Sequence, residues 1–277
     1  MNPVSVIISQ LQLTPAADAA YKQLLLQLLK PLLTLPTPAV IGISGAQGTG
    51  KSTLARALTE LLVSRGIAAG SVSLDDYYLS QAQRQQLAQT IHPLLAQRGV
   101  PGTHDIQQAI RDAKAVLAGQ PVALRQFDKV LDEPVAALPA QQLDLLIVEG
   151  WCLGIQPQAE ADLAVPVNTM EALEDTVGQW RHYVNQQLAG AYADYWQLLK
   201  PLVWLQAPDW ECICRWQAQQ EQQLRQARGR GMSDNELARF MLPFQRLTLA
   251  SWQQLPAIVT ATVLLDQQHI PTLLAAD

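Results

Sequence analysis

The chain has 277 residues and a mass of 30.4 kDa, enough for one large α/β domain or two small ones. Hydrophobic residues make up 49% and mean hydropathy is +0.04, an apolar share that supports a buried core and excludes a disordered chain. With 19 Lys+Arg against 24 Asp+Glu, a net charge of -5 and a pI near 5.4, a general nucleic-acid-binding role is disfavoured for want of a basic footprint.

In chain order, leucines at 24, 25, 28, 29 and 32 line one side of a helix over about 15–33, stopped by Pro36 and Pro38. The lack of a basic residue before Lys22, and the interruption of the apolar stretch 24–43 by Lys30, Pro31, Pro36 and Pro38, predict neither a secretory leader nor a membrane span. The expectation is a cytoplasmic protein with no membrane partner. Residues 39–44, Ala-Val-Ile-Gly-Ile-Ser, read as a strand buried on both faces, and a helix over 51–65 ends at Gly66. A strand near 67–74, a helix near 80–91, a loop through 99–103 and a helix over 105–118 ending at Gly119 continue the alternation. Strands at 143–148 and 202–205 follow, and 257–265 is expected to close the sheet. The pattern predicts an α/β fold with a mostly parallel sheet wrapped by helices. Residues 1–37 read as a helical extension and 38–277 as the main domain, with two helices at about 215–240 as a lid. In that lid, Gly229 and Gly231 flank a basic turn and Ser233 with Glu236 forms a capping box.

Much of the polarity is uncharged, with glutamines at 217, 219, 220, 222, 223 and 226. Cys152, Cys212 and Cys214 lack the paired spacing of a zinc site and read as buried reduced thiols, and the seven tryptophans read as packing residues.

The segment Gly45-Ala46-Gln47-Gly48-Thr49-Gly50-Lys51-Ser52 matches G-x-x-x-x-G-K-[ST] between a buried strand and a helix. Its glycines let backbone N–H groups turn toward phosphate oxygens, the helix N-terminus adds positive potential, and Lys51 reaches the outer phosphates. Ser52 is expected to ligate Mg²⁺, and Thr53 completes the nucleotide-binding set. With this loop the α/β pattern reads as a three-layer P-loop NTPase fold, one that serves kinases, GTPases and motor ATPases alike, so the remaining residues must separate them. Leu74-Asp75-Asp76-Tyr77-Tyr78 ends a strand at the same rim, where Asp75 is placed to accept the proton of an attacking hydroxyl. Asp76 reads equally well as a turn cap. Glu149, ending the 143–148 strand, is a candidate Mg²⁺ ligand. His104 reads as a substrate contact, Asp105 as a substrate residue or a helix cap, and one arginine among Arg225, Arg228 and Arg230 as the group that stabilises transferred phosphoryl charge, with Arg228 taken as catalytic.

In order, Gly45 to Ser52, Leu74 to Tyr78, Arg98-Gly99-Val100-Pro101-Gly102-Thr103-His104-Asp105, Phe127-Asp128-Lys129, Val148-Glu149-Gly150-Trp151 and Gly229-Arg230-Gly231-Met232-Ser233-Asp234 resemble the plant-type D-glycerate 3-kinase branch of the P-loop kinases. The chain is similar, more distantly, to the uridine kinase, phosphoribulokinase and bacterial pantothenate kinase families. The resemblance runs from about residue 38 to 250. It implies transfer of the ATP γ-phosphoryl group, with Mg²⁺, to a primary hydroxyl of a small-molecule acceptor, D-glycerate giving 3-phosphoglycerate. It matches Asp75 to the base and Lys51, Ser52 and Glu149 to the phosphate and magnesium positions. Tyr77 stands where relatives commonly have Phe. A carboxylate acceptor needs cationic or N–H-rich contacts, and the residues proposed around it are Asp75, Tyr78, His104, Asp105, Lys129 and Arg181, with Arg98 and Arg125 as further candidates. A kinase for a nucleoside, pantothenate or a sugar phosphate, or a regulatory ATPase with no small acceptor, remains an alternative.

Overall fold

Helix α1 (Pro15–Leu32) realises the leucine spacing: Leu24, Leu25, Leu28, Leu29 and Leu32 are all buried. The computed structural model describes residues 4, 8, 15–228 and 231–274, and only the backbone at 15, 16, 224, 227 and 228. After α1, strand β1 (Ala39–Gly45) is buried at every position, as an unbroken apolar run requires when both faces of a sheet are covered. Helix α2 (Lys51–Val63), strand β2 (Ala69–Ser73), a short 3₁₀ turn (Leu74–Tyr77), and helices α3 (Gln81–Thr90) and α4 (Ile106–Leu117) follow. The small hairpin β3 (Gln126–Asp128) and β4 (Glu133–Val135) precedes β5 (Leu145–Gly150). Short helices α5 (Glu160–Leu163), α6 (Thr169–Glu174), α7 (Gln179–Gln187) and α8 (Ala193–Leu198) lead to β6 (Leu202–Gln206). The long helices α9 (Trp210–Arg228) and α10 (Asp234–Gln254) and the strands β7 (Ala261–Leu265) and β8 (Pro271–Leu274) complete the described chain.

The main sheet runs β2-β5-β1-β6-β7-β8, parallel throughout except for the antiparallel pair β7 and β8. Its register places Ile43 opposite Glu149 and Ser44 opposite Gly150, while Ser73 of β2 also faces Glu149. The chain segments that leave β1, β2 and β5 therefore emerge side by side at the carboxyl edge, where parallel α/β sheets place their ligands. Alternation along the strands supplies both faces. Ile41, Ile43, Leu145 and Ile147 pack with α1 and α2 on one side, and Val40, Leu146 and Val148 pack with α4 and α8 on the other. Helix α1 shares its core with the sheet and contacts α2 and β8.

Two expectations need correction. The strand expected over 257–265 begins only at Ala261, because Leu255–Ala257 forms a 3₁₀ turn around Pro256, a residue with no N–H to offer a ladder. The sheet is closed instead by β8, which had no counterpart in the sequence reading. The capping box at the start of α10 is present: Ser233 N donates to Glu236 Oε2 at 2.7 Å and Ser233 Oγ accepts from Glu236 N at 3.4 Å. The three cysteines are free thiols, two of them buried. Among the described residues no helix is long and apolar enough to cross a membrane.

Candidate active site

The loop after β1 is shaped by residues that do not tolerate substitution. Gly48 and Gly50 hold φ of +74° and +83°, in the left-handed region that favours glycine. A Cβ on Gly48 would stand 2.9 Å from Cβ of Trp216, so that residue must also lack a side chain for the loop to pass α9. Thr49 Oγ1 donates to Ala46 O at 2.7 Å and closes the turn, and a Cβ on Gly45 would collide with that same hydroxyl. Gly50 caps α2 with no side-chain hydrogen bond, which leaves the first-turn amides of Lys51, Ser52 and Thr53 open for phosphate oxygens. The Tyr21 hydroxyl of α1 comes within 3.3 Å of where a Cβ on Gly50 would sit, so the amino-terminal helix abuts the loop directly. Gln47, Gly48, Gly50, Lys51, Ser52 and Thr53 line a cleft of about 1060 Å³.

Asp75 and Glu149 enter the same cleft from the ends of β2 and β5. Asp75 is held from two sides: Lys129 Nζ donates to its Oδ2 at 2.6 Å and Tyr78 OH to its Oδ1 at 2.7 Å. Burial works to raise the carboxyl pKa, but the charges of Lys129 and Lys51 and the two hydrogen bonds outweigh it and bring it down to about 2. Burial likewise opposes the Lys129 ammonium, yet Asp75 raises its pKa above the ordinary lysine value. The Tyr78 phenol, raised by burial and by Asp75, stays a donor. Asp76 turns away to cap: its carboxylate accepts from Ser73 N at 3.0 Å and Phe127 N at 3.3 Å, tying the 3₁₀ turn to β3.

Ser52 Oγ donates to Glu149 Oε1 at 2.7 Å. Glu149 is 6% exposed and its Oε2 is buried without a hydrogen-bond partner. A buried carboxylate oxygen with no donor is costly unless a cation neutralises it. A hydroxyl and a carboxylate at the foot of a phosphate loop also suit an ion that keeps most of its shell as water and phosphate oxygens. Ser52 and Glu149 therefore fit Mg²⁺.

Several expected contacts lie elsewhere. Arg181 is 5% exposed in α7, donates to Leu163 O at 2.6 Å and Asp175 O at 2.6 Å, and pairs with Asp175 Oδ2 at 2.9 Å. It braces the 159–178 segment and does not line the cleft, which corrects its assignment as a substrate residue. Asp105 caps α4, accepting from Gln108 N at 3.0 Å, and is likewise off the cleft wall. His104 stands one layer behind the wall: its ring stacks on Tyr78 with centroids 4.6 Å apart, and its Nδ1 lies 2.7 Å from the Tyr192 hydroxyl. It supports Tyr78 instead of lining the cleft. In α9 and α10, Arg225 pairs with Asp234 at 2.9 Å and Arg239 with Glu174 at 2.6 Å, while the side chain of Arg228 and all of Arg230 lie outside the described residues.

Two features were not anticipated. His269, in the turn between β7 and β8, comes within 2.9 Å of Gly48 O through Nε2 and stacks on Trp216 with ring centroids 3.7 Å apart, giving the phosphate loop an aromatic flank. Gln217, Gln220 and Gln223 make the α9 wall of the cleft an amide surface. The glutamine run hinted at the second of these, whereas nothing near His269 in sequence announced the first. Of the expected acceptor contacts, Arg98 does reach the site: among the described residues it is the arginine on the cleft wall, held by an ion pair to Asp132.

A phosphate loop opening a helix, an acid beside its hydroxyl and a second acid in the same cleft define an ATP-dependent phosphotransferase of the P-loop class. The chain is 31% identical over 223 residues to "Uncharacterized kinase mug58" of Schizosaccharomyces pombe, covering 74% of this chain and 77% of that one. It is 28% identical over 219 residues to the chloroplastic D-glycerate 3-kinase of Arabidopsis thaliana, covering 74% of this chain but only 45% of that protein's length. The solved D-glycerate 3-kinase of Cryptococcus neoformans superposes with a TM-score of 0.71 at 22% identity, over 95% of this chain and 99% of that one. The ABC transporter family model matches residues 30–150, the stretch that holds the phosphate loop. The chain belongs to the P-loop kinases, in the branch that includes D-glycerate 3-kinase.

Proposed function

We propose that the protein transfers the γ-phosphoryl group of ATP to a primary hydroxyl of a small hydroxy acid, D-glycerate first, giving 3-phosphoglycerate. The observation that carries this reading is the grouping of Asp75 with Lys129 and Arg98 on the cleft wall that also holds Lys51 and Ser52. A base for a hydroxyl and cations for a carboxylate thus stand together in the cleft that the phosphate loop lines. The names borne by the Arabidopsis and Cryptococcus relatives favour the same acceptor.

In this reading Asp75 takes the hydroxyl proton as the acceptor oxygen bonds to the γ-phosphorus and the bond to the β,γ-bridging oxygen breaks, leaving ADP. Lys51 and the first-turn amides of α2 offset charge on the phosphates. Tyr78, braced by His104, keeps Asp75 aimed. Ser52 and Glu149 would hold Mg²⁺, which would neutralise charge shared by the β- and γ-phosphate oxygens. In this reading helices α9 and α10, which line the cleft, close over it and exclude water that would otherwise consume ATP.

The test is ADP release from Mg²⁺-ATP across D-glycerate, L-glycerate, uridine, pantothenate and ribulose 5-phosphate. Stimulation by D-glycerate with 3-phosphoglycerate as product is the expected result. Stimulation by another member of the panel alone would reassign the acceptor, and hydrolysis that no member stimulates would contradict a small-acceptor kinase.

A further inference from the structure

Lys129 sits on a loop whose backbone is pinned while its side chain is not. Asp128 Oδ1 accepts from Val130 N at 2.7 Å and Leu131 N at 3.0 Å, turning the chain between β3 and β4. Asp132, at φ +60°, is clasped by the buried Arg84 at 2.6 Å and by Arg98, which also donates through Nη2 to Lys129 O at 3.3 Å. At the other end Phe127 is buried and its N–H is held by Asp76. From this fixed base the Lys129 side chain, 59% exposed, crosses open cleft to reach Asp75, itself 24% exposed.

That contact conflicts with the work assigned to Asp75. A carboxylate bound to an ammonium and a phenol at once is a poor proton acceptor, for a hydroxyl or for water. The ammonium is a compact point charge on a flexible stem, able to change partners without moving the loop, and an incoming carboxylate offers it an equivalent partner. We propose that Lys129 is an acceptor-responsive latch: without an acidic acceptor it holds Asp75 in an ion pair, and the acceptor's carboxylate draws it away, so the base is released only when a hydroxyl is present to be phosphorylated. This rests on the small hydroxy-acid reading above and adds to it a role for Lys129 in suppressing ATP hydrolysis. Lys129 is then a positioning residue for the base as well as a contact for the acceptor.

The test compares wild type, Lys129→Met and Lys129→Arg for ATP hydrolysis without acceptor, for acceptor-stimulated ADP release and for ATP binding. The latch predicts that Lys129→Met raises basal hydrolysis about tenfold, raises the KM for D-glycerate and leaves ATP affinity near wild type, while Lys129→Arg keeps basal hydrolysis low. A lysine that only binds the acceptor would give the KM change with no rise in basal hydrolysis, and that result overturns the latch. Retained ATP affinity excludes misfolding as the cause of either result. If no acid stimulates the wild-type protein, the acceptor reading itself fails and the exchange fails with it, an outcome visible before any variant is made.

Discussion

Ser52 and Glu149, 97 residues apart, meet at 2.7 Å because the parallel pairing of β1 with β5 delivers the phosphate loop and the acid to one point. The second carboxylate oxygen, buried and unpartnered, is the cost of keeping a charge ready for a cation. Glu149→Gln should preserve the Ser52 hydrogen bond and lower kcat about 100-fold or more. Its stability without nucleotide should equal or exceed that of wild type, since an uncompensated charge has gone. The thermal shift caused by ADP with Mg²⁺, relative to ADP with a chelator, should shrink in the variant, and differential scanning fluorimetry reads this without any assay of turnover.

Gly48→Ala places a side chain at φ +74° and a Cβ 2.9 Å from Trp216. The backbone strain alone is about 1–2 kcal/mol. The melting temperature should drop by several degrees, and ATP affinity should weaken about tenfold or more because the loop amides lose their aim. Calorimetric titration with ATP checks the second effect, and Gly66→Ala, also at positive φ but with open space around it, serves as the control for strain without a collision.

His104 gives a pH dependence. Burial holds its pKa at about 4, against an ordinary value of 6.5, although the Asp75 charge works to raise it. Between these two values the unfolded chain binds the proton and the folded one does not. The neutral ring's contribution is therefore complete above pH 6.5 and declines as the pH falls toward 4, by an amount on the order of 3 kcal/mol. His104→Gln should flatten the fall in stability between pH 7 and pH 5 as followed by urea unfolding. An equally steep fall in the variant would assign the acid limb to other groups.

The amino-terminal helix makes a sharper stability prediction. Leu25 is fully buried and Leu26, its neighbour in the chain, is 43% exposed. Leu25→Ala should cost about 2–5 kcal/mol and Leu26→Ala less than about 0.5 kcal/mol, because only the first opens a cavity. Equal small effects in urea unfolding would mean that α1 is not part of the cooperative core.

What could be read from the chain and what could not divides along physical lines. The phosphate loop is legible because its chemistry is local: consecutive residues supply the turn, the amides and the lysine. Glu149 is legible because it ends a strongly apolar run and Asp75 because it closely follows a strand, and parallel strands bring such ends to one edge. His269 is not, since it lies 221 residues from the Gly48 carbonyl it approaches and arrives there through the β7–β8 hairpin, whose last strand has four residues. Arg181 was drawn into the site by residue type, but Asp175, six residues earlier, and the carbonyl of Leu163 provide it with a buried set of acceptors that no pattern of spacing reveals. Arg225 finds Asp234 nearby, and glutamines occupy the α9 wall of the cleft, while the Arg228 side chain and Arg230 lie outside the described residues.

The most direct test of the account is the kinetic and binding profile of Asp75→Asn. If Asp75 activates the acceptor hydroxyl in the cleft lined by the phosphate loop, kcat for the stimulating acid falls by about 10²–10⁴ while the Kd for ATP, measured separately by titration, changes by less than about threefold. Equal losses in turnover and ATP affinity, or no loss in either, would contradict the assignment of Asp75 as the base.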